Sequence, residues 1–259
     1  MKKVGKVAVG KIYLVGAGPG AEDLLTVRAA RLLEAADVVF YDALVPAAIV
    51  ALAQRAQKIA VGKRCGRHST AQLFINRRLI EAARHHASVV RLKGGDPMLF
   101  GRAQEEIDAL GDAGIEVEVV PGVTAAVAAS AALKVSLTRR GVSRNVVFAT
   151  PRVGKMESES DWIAAAALAD TAVVYMGARE ADTLVKALTG RGLAPSTPVA
   201  IVENASIADE RCLVGTLGEL AQLAAALGGG PAIVVIGQVL REKLAAARNE
   251  RLPTRLRRA

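Results

Sequence analysis

The sequence predicts an α/β protein built from two units, each a sheet with helices packed against it. Three observations carry that prediction. Ten short apolar runs, five in each half, have strand length and strand composition. In the first half they alternate with segments whose apolar residues recur at helical spacing, which implies a mostly parallel sheet with helices on its faces. Residues 134–143 then lose all periodicity and turn polar, so a boundary is placed there. The expected organisation is a basic N-terminal tail (1–10), a first domain (11–133), a linker (134–143), a second domain (144–240) and a basic C-terminal tail (241–259).

Taken in order, Lys11 to Val15 reads as a buried strand running into Gly16-Ala17-Gly18-Pro19-Gly20. A helix follows, with Leu25, Ala29, Leu32, Leu33 and Ala36 on one side and Glu22 and Asp23 suited to its first turn. Residues 37–41 are a second strand ending in Asp42, and Pro46 opens a short helix. A third strand, 57–61, ends in a loop carrying Lys63, Arg64, Cys65, Arg67 and His68. Residues 70–86 form a helix. Strand 88–92 breaks into Lys93-Gly94-Gly95-Asp96-Pro97, where two glycines admit close approach or a positive φ and Pro97 keeps Asp96 extended. Asp96 is either a cap of the turn or a carboxylate at the edge where open α/β sheets place ligands. A helix after Gly101, strand 116–120, Pro121-Gly122 and an Ala-rich helix over about 123–133 complete the first half. In the second half, strands are expected at 145–149, 171–176, 198–202, 211–214 and 232–236, with helices near 161–169, 178–190 and 216–227. Residues 151–160 read as a mobile surface loop.

Composition excludes several classes. The chain is 52% hydrophobic but only 3% aromatic, so its core is built from Ala, Val, Leu and Ile. No run approaches the roughly 18 apolar residues a membrane span needs, and no signal peptide is read at the N-terminus. Cys65 and Cys212 stand alone, without metal-ligand spacing, and are read as reduced cytoplasmic thiols. The net charge of +9 suggests nucleic acid until it is located: residues 241–259 carry +5 and Lys2, Lys3 and Lys6 a further +3, leaving +1 for residues 7–240. Solvated basic tails explain that excess better than a nucleic-acid face. A polyanion-binding module that uses those tails is the rival from a different class.

Five loops at strand C-termini (16–20, 42, 62–68, 93–97 and 121–124) hold the unusual residues and are treated as one site. Gly16 to Gly20 is not Gly-x-Gly-x-x-Gly, and Pro19 removes an amide from any phosphate cradle. His85-His86 is read as a solvated pair, so no metal is expected. Lys63, Arg64, Arg67 and His68 are read as a carboxylate-binding patch. Arg102 opposes its helix dipole and needs an anion, which Glu105 supplies one turn on. Met176, at a strand end, is read as core.

These motifs together resemble the tetrapyrrole methylase family. The matching segments include Val15 to Gly20, Tyr41 to Val45, Val61 to Arg64, Arg91 to Pro97, Phe100-Gly101-Arg102, Val120 to Ala125, Tyr175-Met176-Gly177, Val202-Glu203-Asn204 and Pro231 to Gly237, in family order across residues 11–240. The resemblance implies two α/β domains of that type with S-adenosylmethionine in the cleft between them. It places the cofactor against Pro19, Gly94, Gly95, Asp96, Leu99, Thr124, Ala125, Met176, Ala205 and Ala232. The implied reaction is methylation of two pyrrole carbons, 2 and 7, of uroporphyrinogen III to give precorrin-2, for sirohaem or cobalamin synthesis, in a cytoplasmic homodimer without metal. A methylase of a later precorrin is the nearest rival.

The chemistry needs alignment of an electrophilic methyl with an already nucleophilic carbon, and a base for the proton that leaves. Asp42 resembles the family's proton acceptor and Lys63 its proton donor, with Arg102 a third candidate. The substrate's many carboxylates call for Lys and Arg; Arg64, His68, Glu105 and Arg140 are the implied contacts. The chain departs from the family at Ala103-Gln104, Arg139, Pro151-Arg152 and Ala205, mostly on the substrate side. No added nucleotide-binding module is read, so no oxidation or iron insertion is expected.

Overall fold

The computed structural model describes residues 9–62, 68–152 and 160–251. Contacts divide the chain into two units, residues 1–124 and 125–259. The first contains β1 (Lys11–Gly16), α1 (Val27–Ala35), β2 (Val38–Tyr41), α2 (Ala47–Ala51), β3 (Gln57–Ala60), α3 (His68–Ala83), β4 (Ser88–Lys93), α4 (Ala103–Asp112) and β5 (Val117–Val120). Its five strands lie in the order β3-β2-β4-β1-β5, and every pairing is parallel. All five chain ends therefore leave the sheet at the same edge. Central β4 is the most deeply buried strand, while edge strand β3 exposes Gln57 and Lys58, polar residues that discourage further pairing. Two cores cover the two faces: Val15, Leu33, Ile49, Val90 and Leu92 on one, Ile12, Phe40, Leu79, Val89 and Leu110 on the other. Thr26 caps α1, its Oγ1 accepting from the Ala29 amide at 3.1 Å.

The second unit contains α5 (Ala125–Leu133), β6 (Val146–Ala149), α6 (Trp162–Leu168), β7 (Thr171–Tyr175), α7 (Ala181–Gly190), β8 (Pro198–Glu203), β9 (Arg211–Thr216), α8 (Leu220–Ala225), β10 (Ala232–Gly237) and α9 (Arg241–Arg251). The strand order is β6-β7-β10-β8-β9. Only β6 and β7 run parallel; β10 is antiparallel to both its neighbours, as is β9 to β8. A mixed sheet brings strand starts and strand ends to one edge.

Two expectations need correction. The unit boundary falls at Thr124/Ala125, ahead of the polar segment 134–143, because α5 buries Ala126, Ala129 and Leu133 in the same core as Val173, Ala200 and Val235. Burial decides the assignment, and an Ala-rich helix gives no sign in sequence of which sheet it covers. The supposed C-terminal tail is a helix as far as Arg251. Leu240 and Leu244 are buried and, with Ala247 packed beside them, join that core; the cations around them mask the apolar stripe. The N-terminal tail up to residue 8, most of the 151–160 loop and the last eight residues of the chain lie outside the described residues.

Candidate active site

In the first unit, three strand ends meet backbone to backbone. Ala17 N donates to Lys93 O at 2.8 Å, and Gly18 and Gly95 exchange hydrogen bonds of 3.2 and 2.7 Å, an extra bridge between the loops after β1 and β4. Gly16, Gly95 and Gly122 pack so tightly that a Cβ on Gly122 would lie 2.3 Å from Gly95 O, and one on Gly16 2.6 Å from the Gly122 Cα. Gly95 also has φ +68°, which glycine adopts without penalty. Asp96 completes the junction: Oδ2 accepts from Gly122 N at 2.9 Å and Oδ1 from Met98 N at 2.8 Å. Its carboxylate thus ties the β4 loop to the β5 loop, so it serves first as a strut. Pro19, Gly94, Leu99 and Thr124 surround this junction in sequence, each half-buried.

Beside the junction lies a charge cluster of which the sequence analysis singled out only Asp42. Arg91 is 2% exposed on β4. It donates from Nη2 to Asp42 Oδ1 at 2.6 Å, from Nε to Glu106 Oε1 at 3.1 Å and from Nη1 to Leu92 O at 3.2 Å. Lys93, two residues on and therefore on the same face of the strand, donates to both Glu106 oxygens at 3.2 Å. Gln72 of α3 donates to Glu106 at 3.1 Å. Burial works to lower the Arg91 pKa, but Asp42 and Glu106 outweigh it and hold the guanidinium above its ordinary value. Lys93 goes the other way: burial first, then the charge of Arg91, push its ammonium below the usual lysine range. Two cations on an otherwise apolar strand were the legible signal, because buried charges require partners.

Arg102 caps α4 in a left-handed conformation, φ +55°, rather than lying inside its first turn. Glu105 grips it at two points, Nε to Oε1 and Nη2 to Oε2, both 2.7 Å. That bond to Arg102 is the main reason the Glu105 carboxyl sits below its ordinary pKa.

In the second unit the candidate residues gather at one sheet edge by register. Tyr175, the last residue of β7, pairs with Ile233, and Ala232 pairs with Glu203, the last residue of β8. Met176, Ala205 and Ala232 therefore sit together, and Tyr175 Oη accepts from Ala126 N at 3.2 Å, bringing the start of α5 to the same place. The expectation of a core Met176 is corrected: it is 37% exposed on left-handed backbone, φ +57°, which turns it out of the sheet. Asn204 and Ser206 are left-handed too, so both loops are held in sparsely populated backbone. Glu203, fully buried, accepts from Gly228 N at 2.9 Å and Gly230 N at 2.8 Å. Those amides, Gly228 above all, hold its pKa below the ordinary glutamate value.

Of the expected substrate contacts, Arg140 is exposed in the 138–144 loop, which closes through an Arg139–Ser143 bridge. His68 begins α3. Lys63 and Arg64, with the side chain of His68, lie outside the described residues. Among those described, no group of three or more His, Cys, Asp or Glu could hold a metal, and no helix is long and apolar enough to cross a membrane.

A family model described as tetrapyrrole (corrin/porphyrin) methylases matches residues 11–221. The chain is 46% identical over 236 residues to a uroporphyrinogen-III C-methyltransferase of Synechocystis sp., covering 90% of each. It is 47% identical over 231 residues to a siroheme synthase of Zymomonas mobilis, but spans only 49% of that protein. Among solved structures, uroporphyrin-III C-methyl transferase from Thermus thermophilus, complexed with S-adenyl homocysteine, superimposes with a TM-score of 0.79 at 40% identity, covering 90% of this chain and all of the other.

Proposed function

This chain belongs to the tetrapyrrole (corrin/porphyrin) methylase family, and from that we propose that it is an S-adenosylmethionine-dependent C-methyltransferase that converts uroporphyrinogen III to precorrin-2 by methylating pyrrole carbons 2 and 7 in turn. The observation that carries the reading is the 46% identity, over 90% of both chains, with the Synechocystis sp. enzyme of that name. Because the chain spans about half the length of that siroheme synthase, its activity as a whole is not carried over.

The residues fit the cofactor. In the first unit Gly94 and Gly95 offer backbone without side chains; in the second, Met176 is turned out of its sheet beside the small Ala205 and Ala232. Gly94 to Asp96 and Thr124 are the first unit's candidates to hold it; Ala125, Met176 and Ala205 are the second unit's. Bound there, S-adenosylmethionine supplies an electrophilic methyl on a sulfonium.

The rest falls to this chain's own groups. Arg102, held at two points by Glu105, presents a guanidinium to the acetate and propionate arms of the substrate, and Arg140 offers a second. When a substituted pyrrole carbon takes the methyl, the positive charge passes to the rest of the ring, and the tetrapyrrole is neutralised by losing a proton from another of its atoms. Asp42 is the base: Oδ1 is taken by Arg91, and Oδ2 receives no hydrogen bond from the described residues. Lys63 and Arg64 would complete the anion-binding side. The protein works as a cytoplasmic homodimer and feeds sirohaem or cobalamin synthesis.

Incubation with uroporphyrinogen III and labelled methyl donor, followed by mass measurement, should show the tetrapyrrole gaining two methyl groups through a mono-methylated species. An unmodified tetrapyrrole overturns the reading, and a third methyl would move it to the later precorrin methylases. Removing residues 1–6 and 252–259 should leave turnover intact; loss of function on that deletion would favour the polyanion-binding alternative.

A further inference from the structure

We propose that Arg91 is a positioning residue for this reaction: it fixes one oxygen of Asp42 so that the other faces substrate, and Glu106 fixes Arg91 in turn. The proposal rests on the functional reading above, which gives Asp42 its proton.

The argument begins with the guanidinium. Arg91 has three nitrogens, and each has one acceptor: Asp42, Glu106 and the Leu92 carbonyl. A planar group held at three points has no rotational freedom left. Its contact with Asp42 is the shortest of the three, 2.6 Å, as befits a charge-assisted bond. Glu106 is held equally firmly, with donors from Arg91, Lys93 and Gln72 around a carboxylate that no solvent reaches.

The holding continues outward. Gln72 also donates to Asn76 Oδ1 at 3.0 Å, and Asn76 donates to the Glu105 carbonyl at 3.1 Å. Helices α3 and α4 are thereby locked to the strand that carries Arg91. The charges also balance: two cations, Arg91 and Lys93, face two carboxylates, Glu106 and Asp42. Asp42 alone of the four has substantial exposure, its side chain 29% accessible against 5% or less for the others. The cluster therefore has one opening to the outside, at the residue assigned the chemistry. A cluster needed only for stability has no reason to end there, because charge can be balanced wholly inside.

The test is a double-mutant cycle in the full chain, with Arg91→Lys made alone and in an Asp42→Asn background. A lysine keeps the charge but loses the three-point hold. Alone it should lower kcat about a hundredfold, the scale of a misplaced catalytic group. The KM for uroporphyrinogen III and the calorimetric affinity for S-adenosylhomocysteine should stay within about threefold, since ground-state binding is not what changes. With Asp42→Asn already present, Arg91→Lys should cost nothing further in kcat. The same fold-loss in both backgrounds, or wild-type kcat in Arg91→Lys, overturns the proposal. Thermal unfolding follows each variant. If Arg91→Lys does not fold, Glu106→Gln, which keeps an acceptor for Arg91, enters the same cycle with the same expected non-additivity. If neither folds, the cluster is a folding element and the positioning role is rejected. A wild type that leaves uroporphyrinogen III unmodified removes the functional reading and this inference with it, whereas an active wild type with an additive cycle removes this inference alone.

Discussion

Among the described residues each unit buries one glutamate completely, and the two are neutralised by opposite means. Glu106 in the first unit faces side chains: two cations and an amide. Glu203 in the second faces backbone: the amides of Gly228 and Gly230, with Arg211 only at 3.5 Å and 46% exposed. Full charges held by side chains must themselves be anchored, so the Glu106 cluster spreads through α3, α4 and β4 and reaches Asp42. Peptide dipoles are already anchored by the chain, so Glu203 needs nothing beyond one turn. A carboxylate met by dipoles shapes a loop locally, while one met by cations stiffens a region and can transmit position.

Three substitutions test whether the two glutamates really differ in this way. Glu106→Ala leaves Arg91 and Lys93 without their shared partner and should cost about 3–5 kcal/mol in urea unfolding, the range for breaking a buried pair. A loss below about 1 kcal/mol would show that the cluster relaxes freely and anchors nothing. Glu203→Gln should cost less, about 1–3 kcal/mol, because one backbone amide then faces an NH₂ instead of an oxygen. That loss should depend on pH with a definite sign. The Glu203 pKa is lower folded than unfolded, so its stabilisation is complete above the unfolded value of about 4.3 and disappears as pH falls through the folded value. Wild type and variant should therefore converge in stability in acid, and a pH-independent gap would mean the carboxylate charge is not what the amides bind. Arg211→Gln should change stability by no more than about 0.5 kcal/mol, since an exposed partner at that distance is screened. A larger effect would place Glu203 in the same class as Glu106 and dissolve the contrast.

Most strands were legible because the chain marks them doubly, by apolar runs and by a Gly, Pro or Asp close to their ends. The convergence of the first unit's loops was legible for the same reason, since a parallel sheet delivers every marked end to one edge. Helix α9 was hidden by composition: cations outnumber the apolar residues that dock it, and only Leu244 and Ala247, three apart, betray the buried side. Met176 was misjudged because a strand end rich in Val reads as core, whereas a left-handed turn reverses the side chain without leaving a mark in sequence. Arg91 and Lys93 carry a signal of their own. Two basic residues flanking Leu92 on a buried strand demand a carboxylate, and Glu106, spaced between Ala103 and Leu110 on the buried side of α4, was the one in reach.

The contact among Gly16, Gly95 and Gly122 has a consequence for anyone wishing to redesign this protein. With backbone pressed on backbone there is no side chain to lengthen, trim or recharge, so selection has no dial to turn at that point. A mutant library aimed at new acceptors is best spent on exposed positions such as Gln104 and Arg140, with those three codons left untouched.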